Sequence, residues 1–239
     1  MSTLVALLCF NLLAAGPSAA DEPKPTKLRI VLVGDSTVTD AAGWGKAFGE
    51  LLTADAECIN RARGGASSKS YYDKGFWKLA LEQKPAYVLI QFGHNDQPGK
   101  GPDRETDPKT TYREYLTRYI DEARAAGAKP ILVTSLTRRI FGPGGKIRSS
   151  LVPYVEAVKS LAAEKKVPLV DLHARSIEQA ERLGVEKSKA FGPKHPEIKD
   201  AVDGTHLNPE GAKATAPLVV DELKKAEPAL AKYFVDKRE

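Results

Sequence analysis

Apolar and polar positions fall into two alternating rhythms along this chain. Short apolar runs stand at Ile30–Val33, Ala56–Asn60, Ala86–Phe92, Pro130–Thr134 and Val167–Asp171. The first, Ile30-Val31-Leu32-Val33, carries no alternating polar residue and stops at Gly34-Asp35-Ser36, which is the pattern of a strand buried on both faces of a parallel sheet. Longer stretches of helical spacing lie between and after the runs: Gly43–Leu52, the later part of Lys69–Gln83, Thr110–Ala126, Ser149–Lys165, Leu172–Leu183 and Asn208 to about Lys225. The spacing is clearest in Thr110–Ala126, where Tyr112, Tyr115, Leu116, Tyr119, Ile120 and Ala123 share one side and Gly127 provides a stop. Strands alternating with helices predict βαβ units with right-handed crossovers, and so an α/β fold of three layers, α/β/α, around a five-stranded parallel sheet.

Composition narrows the setting. The chain has 239 residues, 42% hydrophobic and 28% charged, which fits one domain spanning 21–239. Residues 1–20 contain no Lys, Arg, Asp or Glu, and an apolar stretch from Leu4 to Ala15 leads to Gly16-Pro17 and Ser18-Ala19-Ala20. An apolar region followed by small residues predicts a secretory signal cleaved after Ala20, too short to span a membrane comfortably. The mature chain is then secreted or periplasmic, with no stable membrane insertion. Cys9 leaves with the signal, so Cys58 is the only mature thiol and no internal disulfide forms. Its place in a strand points to a buried, inert thiol. A net charge of +5 favours anionic partners, although most charges alternate in sign at helical spacing and read as a solvated surface.

Four polar segments could carry chemistry. Ser36 follows the first strand, where the loops of open α/β sheets gather ligands, although Asp35 and Ser36 also suit a helix N-cap. In Asp203-Gly204-Thr205-His206 the carboxylate can orient an imidazole three residues on, and such a histidine can take a proton from a serine. The same segment also reads as a loop before a helix capped by Asn208 and Pro209. After the third strand, Gly93-His94-Asn95-Asp96 offers an amide suited to a developing oxyanion, or an ordinary turn. Arg61-Ala62-Arg63-Gly64-Gly65-Ala66 follows the second strand, where glycine lets backbone N–H approach a ligand or simply makes a turn.

In that order, Gly34-Asp35-Ser36, the glycine after the second strand, Gly93-x-Asn95-Asp96 and Asp203-x-x-His206 resemble the four blocks of the SGNH (GDSL-like) hydrolases. The resemblance implies Ser36 as nucleophile, His206 as general base and then acid, and Asp203 as its orienting carboxylate. It implies an oxyanion hole made by the Ser36 N–H, the Gly65 N–H and the Asn95 side chain, with Gly64 the competing second donor. Gly34-Asp35-Ser36-Thr37-Val38, Gly43-Trp44-Gly45, Asn60 with Ala62-Arg63-Gly64-Gly65, Phe92-Gly93-His94-Asn95-Asp96 and Asp203-Gly204-Thr205-His206-Leu207-Asn208 are similar to rhamnogalacturonan acetylesterases, carbohydrate esterase family twelve. That likeness implies a flavodoxin-like fold, removal of acetyl groups from a pectic backbone through an acetyl-enzyme, and no metal or cofactor.

An acetylated acidic polysaccharide is therefore the expected partner, rather than nucleic acid, for a protein acting as a monomer. Arg138 and Arg139 are candidates for its carboxylates because guanidinium binds them bidentately, with Arg63 and Lys69 as further candidates. His94 is expected to shape its loop, while His173 and His195 read as surface residues. Four other readings stand beside this one. A lipase or thioesterase would need apolar loops after the strands, which are sparse, whereas a xylan acetylesterase would look the same. A metallophosphoesterase would need a denser cluster of carboxylates and histidines than four scattered histidines provide. A glycan-binding protein on a retired scaffold would not need the full set of catalytic residue types.

Overall fold

A computed structural model describes residues 27–235. The segment 1–20 and its expected cleavage site lie outside the described residues. Five strands, β1 (Leu28–Gly34), β2 (Ala56–Asn60), β3 (Tyr87–Gln91), β4 (Lys129–Val133) and β5 (Leu169–Val170), form one parallel sheet in the order β2-β1-β3-β4-β5. The connection changes direction between β1 and β3, which makes the carboxyl tips of these neighbours the place where loops diverge. Register brings Gly34 beside Gln91 on one side of β1 and Leu32 beside Asn60 on the other.

Among the described residues seven α-helices flank the sheet: α1 (Gly45–Gly49), α2 (Ser68–Asp73), α3 (Phe76–Leu81), α4 (Thr111–Ala125), α5 (Val152–Lys165), α6 (Leu172–Ser188) and α7 (Pro209–Ala226). Successive strand side chains point to opposite faces, so the apolar runs feed two cores at once. Ile30, Leu32, Leu89, Ile131 and Val133 meet Trp44 just before α1, Phe48 of α1, and Val219, Val220 and Leu223 of α7. Val31, Val33, Val88, Ile90 and Leu132 meet Tyr71, Trp77, Leu116, Tyr119, Ile120 and Leu161 on the other face. The stripe expected of α4 is present, with Tyr112, Leu116, Tyr119, Ile120 and Ala123 buried and Gly127 at φ +78° ending the helix.

Several boundaries differ from the pattern-based expectation, each for a local reason. The helix expected in the later part of 69–83 is α3, and a further helix, α2, precedes it, with Gly75 at φ +75° between them. The first helix is only Gly45–Gly49, since the chain before it folds back tightly on the β1 tip. β5 is two residues long: Pro168 has no N–H to pair, and the Asp171 side chain accepts from Ala174 N as the cap of α6. His173, expected at the surface, is buried instead, with Nδ1 2.9 Å from the Ser135 main-chain oxygen. Burial lowers its proton affinity.

A chain of buried polar groups crosses the core beneath the β1 tip. Trp44 Nε1 donates to Gln91 Oε1 at 3.0 Å, Gln91 Nε2 to Thr37 Oγ1 at 2.7 Å, and Thr37 Oγ1 to Asp35 Oδ1 at 2.7 Å. Every donor has an acceptor, so the chain holds α1, β3 and the β1 turn in one arrangement. Gln91→Leu would leave the fully buried Trp44 N–H without a partner. It should destabilise the fold by about 1–3 kcal/mol, read as a lower midpoint of urea unfolding. A change within experimental error would mean that the chain does not support the fold.

Candidate active site

The chain leaves β1 through Gly34, where a Cβ would lie 2.6 Å from the Gln91 carbonyl, so the strand can turn against β3 only with glycine there. Asp35 faces inward. Its Oδ1 accepts from Thr37 N at 2.9 Å and from Thr37 Oγ1, and its Oδ2 lies 3.2 Å from His94 Nδ1. Burial alone would raise the Asp35 carboxyl, but the charge and hydrogen bond of His94 and the Thr37 donors hold it below its usual range. With the aspartate fixed inward, Ser36 is left at the partly exposed crest of the turn. His94 is buried under that turn, as expected of a residue that shapes its loop.

His206 reaches this crest from the loop before α7. Its Nε2 lies 2.8 Å from Ser36 Oγ and its Nδ1 2.6 Å from Asp203 Oδ2. The other carboxylate oxygen of Asp203 accepts from the amides of Thr205 at 2.6 Å and His206 at 3.0 Å. Burial raises the Asp203 carboxyl, but the His206 imidazole and these two amides lower it further, so it stays ionised below its ordinary value. An anionic acceptor at Nδ1 fixes the tautomer with the proton there and leaves Nε2 to accept from the serine hydroxyl. The arrangement can therefore activate Ser36 for attack on a carbonyl.

The groups expected to meet an oxyanion stand in the segments that follow β1, β2 and β3. The amides of Ser36 and Gly65 have no acceptor among the described residues. Gly65 occupies φ +74° in a turn closed by Ala66 N donating to Arg63 O, a conformation that favours glycine even though a Cβ would meet no atom there. Asn95 is buried, and its Nδ2 donates to Ala66 O at 3.0 Å, which leaves its second N–H for another acceptor. The amide of Gly64 is likewise unengaged among the described residues.

Asp96 ties the two halves of this region together. Its Oδ1 accepts from Ser68 N at 3.0 Å, Ser68 Oγ at 2.5 Å and Thr106 Oγ1 at 3.0 Å, and its Oδ2 from Gly93 N at 3.0 Å. One carboxylate thus anchors the loop after β2 and the loop after β3 to each other. The partners of Asp96, Thr37 and Gln91 are not legible in the sequence, although a glutamine ending the apolar β3 run is a visible signal of a buried polar contact.

The basic residues expected near a substrate carboxylate divide. Arg138 donates from Nη1 to Gln97 Oε1 at 2.7 Å and Ser150 Oγ at 3.3 Å, and from Nη2 to His94 O at 3.4 Å. Arg63 is exposed with its guanidinium over the Phe76 ring, 5.1 Å from its centre. Lys69 Nζ donates to Pro102 O at 2.8 Å. Arg139 departs from the expectation: its Nη2 donates inward to the carbonyls of Asp203 at 2.8 Å and His206 at 2.7 Å. His195 Nδ1 accepts from the amides of Glu197 and Ile198 in a local turn. Cys58 is partly buried, and burial pushes its thiol up to about 12. Among the described residues no group of three His, Cys, Asp or Glu side chains is placed to hold a metal ion.

Comparison with known proteins matches residues 32–214 to the model of the GDSL-like lipase/acylhydrolase family. The chain is 38% identical over 225 residues to rhamnogalacturonan acetylesterase RhgT of Bacillus subtilis, covering 88% of this chain and 95% of that protein. It is 35% identical over 217 residues to the probable rhamnogalacturonan acetylesterase YesY of the same organism, covering 87% and 98%. Among solved structures, YxiM of Bacillus subtilis superposes with a TM-score of 0.72 at 27% identity, over 84% of this chain and 57% of that one. The acetylxylan esterase Axe2 of Geobacillus stearothermophilus shares the fold with a TM-score of 0.61 at 18% identity, over 84% and 96%.

Burial of the enclosed Asp96 carboxyl outweighs its Ser68 and Thr106 donors and pushes it up to about 7, from an ordinary 3.8. A carboxyl raised in the folded state binds its proton more tightly there than in the unfolded chain. Its stabilising contribution is present below the unfolded value and is lost as pH rises between about 4 and 7. The stability of the wild type relative to Asp96→Asn, measured by urea unfolding, should fall across that window. A difference that is flat or rises with pH would contradict this assignment.

Proposed function

The chain belongs to the GDSL-like lipase/acylhydrolase family, and from that premise we propose that it is a secreted rhamnogalacturonan acetylesterase with Ser36 as its nucleophile. At the coarser level it is an SGNH carbohydrate acetylesterase, a serine carboxylic-ester hydrolase. The observation that carries the catalytic assignment is the unbroken contact Ser36 Oγ, His206 Nε2, His206 Nδ1, Asp203 Oδ2, with distances of 2.8 and 2.6 Å.

The reaction follows from these contacts. Ser36 Oγ attacks the acetyl carbonyl carbon while its proton passes to His206 Nε2. The imidazolium so formed is stabilised by the ionised Asp203, which remains a carboxylate throughout. Negative charge develops on the former carbonyl oxygen and is met by the Ser36 amide, the Gly65 amide and the free N–H of Asn95. Collapse of the tetrahedral species breaks the ester C–O bond, and His206 returns the proton to the departing sugar hydroxyl. Water then repeats the sequence on the acetyl-enzyme, releasing acetate and restoring Ser36.

Two lines support the pectic substrate over other acetylated polymers. RhgT bears the name rhamnogalacturonan acetylesterase and YesY that of a probable one, and each aligns with most of this chain. The basic side chains of Arg138 and Arg63 would suit a polymer carrying a uronate carboxylate. Arg138 is partly buried and feels the charges of both Asp35 and Asp203, which puts it in the same electrostatic surroundings as the site. Its guanidinium is oriented by Gln97, whose own Nε2 donates to Ser150 O, so little rotamer freedom remains to be lost on binding. Secretion rests on the uncharged segment 1–20 alone. No helix among the described residues is long and apolar enough to cross a membrane.

Acetate release should be measured side by side on acetylated rhamnogalacturonan, acetylated homogalacturonan and acetylated xylan. The highest kcat/KM is expected on the first, and preference for xylan would overturn the substrate assignment. Ser36→Ala and His206→Ala should each lower kcat by about 10⁶. Asn95→Ala should cost on the order of 10²–10³. Near-full acetate release by Ser36→Ala would remove the nucleophile. Arg138→Ala should raise KM for the charged polysaccharide more than for a neutral acetyl ester, and equal changes on both would deny it a role in carboxylate recognition.

A further inference from the structure

The loop carrying both Asp203 and His206 has main-chain groups of two kinds to satisfy. Its amides at 205 and 206 donate to the Asp203 carboxylate, as described above. Its carbonyls cannot use that carboxylate, which only accepts. They are met instead from the segment after β4. Arg139 Nη2 donates to Asp203 O at 2.8 Å and to His206 O at 2.7 Å, and the Arg139 main-chain N–H donates to Gly204 O at 2.7 Å.

A single residue thus holds three of the four carbonyls between 203 and 206, including those of both Asp203 and His206. The packing leaves no slack on this side. A Cβ at Gly192 would lie 2.3 Å from Asp203 O and 2.8 Å from Arg139 Nη2, so this contact closes only because residue 192 is glycine. Asp203 N also donates to Pro193 O at 2.9 Å, and Leu207 N to Ala42 O at 2.9 Å, which brackets the same loop at either end.

We propose that Arg139 is a positioning residue for hydrolysis: by drawing the Asp203 and His206 carbonyls onto one guanidinium nitrogen, it fixes the imidazole at hydrogen-bond distance from Ser36. Nothing in this requires Arg139 to touch substrate. Its charge-assisted bonds are stronger than those a neutral donor would make. Displacing a catalytic group by about 1 Å can cost on the order of 10²-fold in rate, so a clamp on its backbone acts on kcat. The inference rests on the Ser36–His206–Asp203 reading given above.

The test compares Arg139→Met, Arg139→Lys, Gly192→Ala and Ser36→Ala in the full chain. Each is assayed for kcat and KM on 4-nitrophenyl acetate, for thermal unfolding, and for the far-downfield proton resonance of His206 Nδ1–H. Arg139→Met, of similar length but with no donor, should unfold cooperatively, lose about 10²-fold in kcat at nearly constant KM, and shift or broaden that resonance. Arg139→Lys, whose ammonium can still donate to two carbonyls, should recover at least about tenfold of the loss. Gly192→Ala should reproduce the kcat loss with the arginine intact, and it decides the matter if Arg139→Met does not fold. The inference is overturned if Arg139→Met keeps kcat within about twofold while Ser36→Ala is inactive, or if Lys and Met variants lose activity equally with the resonance unmoved. Activity retained by Ser36→Ala would instead remove the reading beneath it, and this inference with it.

Discussion

The contact between Ser36 Oγ and His206 Nε2 joins positions 170 residues apart, and almost every feature of the fold bears on it. Ser36 can stand at the crest of a turn only because β1 lies inside the sheet, with β2 and β3 on either side supplying the neighbouring loops. His206 can reach that crest only because α7 packs on the same face as α1, against Ile30 and Leu32 of β1. A parallel sheet with both faces covered holds these distances rigidly, since each core is close-packed and resists small displacements. Loops that would be mobile in isolation are thereby fixed at their roots by the least deformable part of the molecule.

Beneath the site the protein replaces apolar packing with directed polar contacts. Asp35, Thr37, Gln91, Trp44 and His94 form one connected set, and Asp96, Ser68, Thr106 and Gly93 another. Apolar contact is tolerant of small slides, whereas a buried donor without its acceptor costs free energy at once. The first set fixes the turn that presents Ser36. The second fixes the loops bearing Gly65 and Asn95 relative to one another. Two buried carboxylates answer to opposite forces: the imidazole of His94 keeps Asp35 below its ordinary value, while Asp96, with only neutral donors, is governed by burial and pushed up to about 7.

The basic residues show how little a residue type says about its task. Arg138 and Arg139 are adjacent in sequence and equally suited to a carboxylate ligand. One is oriented by Gln97 and Ser150, the other turned into the loop of Asp203 and His206. Their separate roles arise because successive residues in an extended segment point in different directions, so one can serve the site's surroundings and the other its framework.

Sequence alone determined the strand and helix rhythm, the parallel α/β architecture and the residue types at the four loops. It could do so because burial on both sheet faces forces uninterrupted apolar runs such as Ile30–Val33, and because turns at strand tips demand residues such as Gly34 and Gly65. It also placed the α4 stripe and the capping of α7 by Asn208, both consequences of contacts within a few residues. Tertiary structure alone decided the burial of His173. It alone decided the partners of Gln91, Asp96 and Arg139. Each of those joins segments far apart in the chain, and no local spacing records which distant carbonyl or carboxylate a side chain will meet once the sheet has closed.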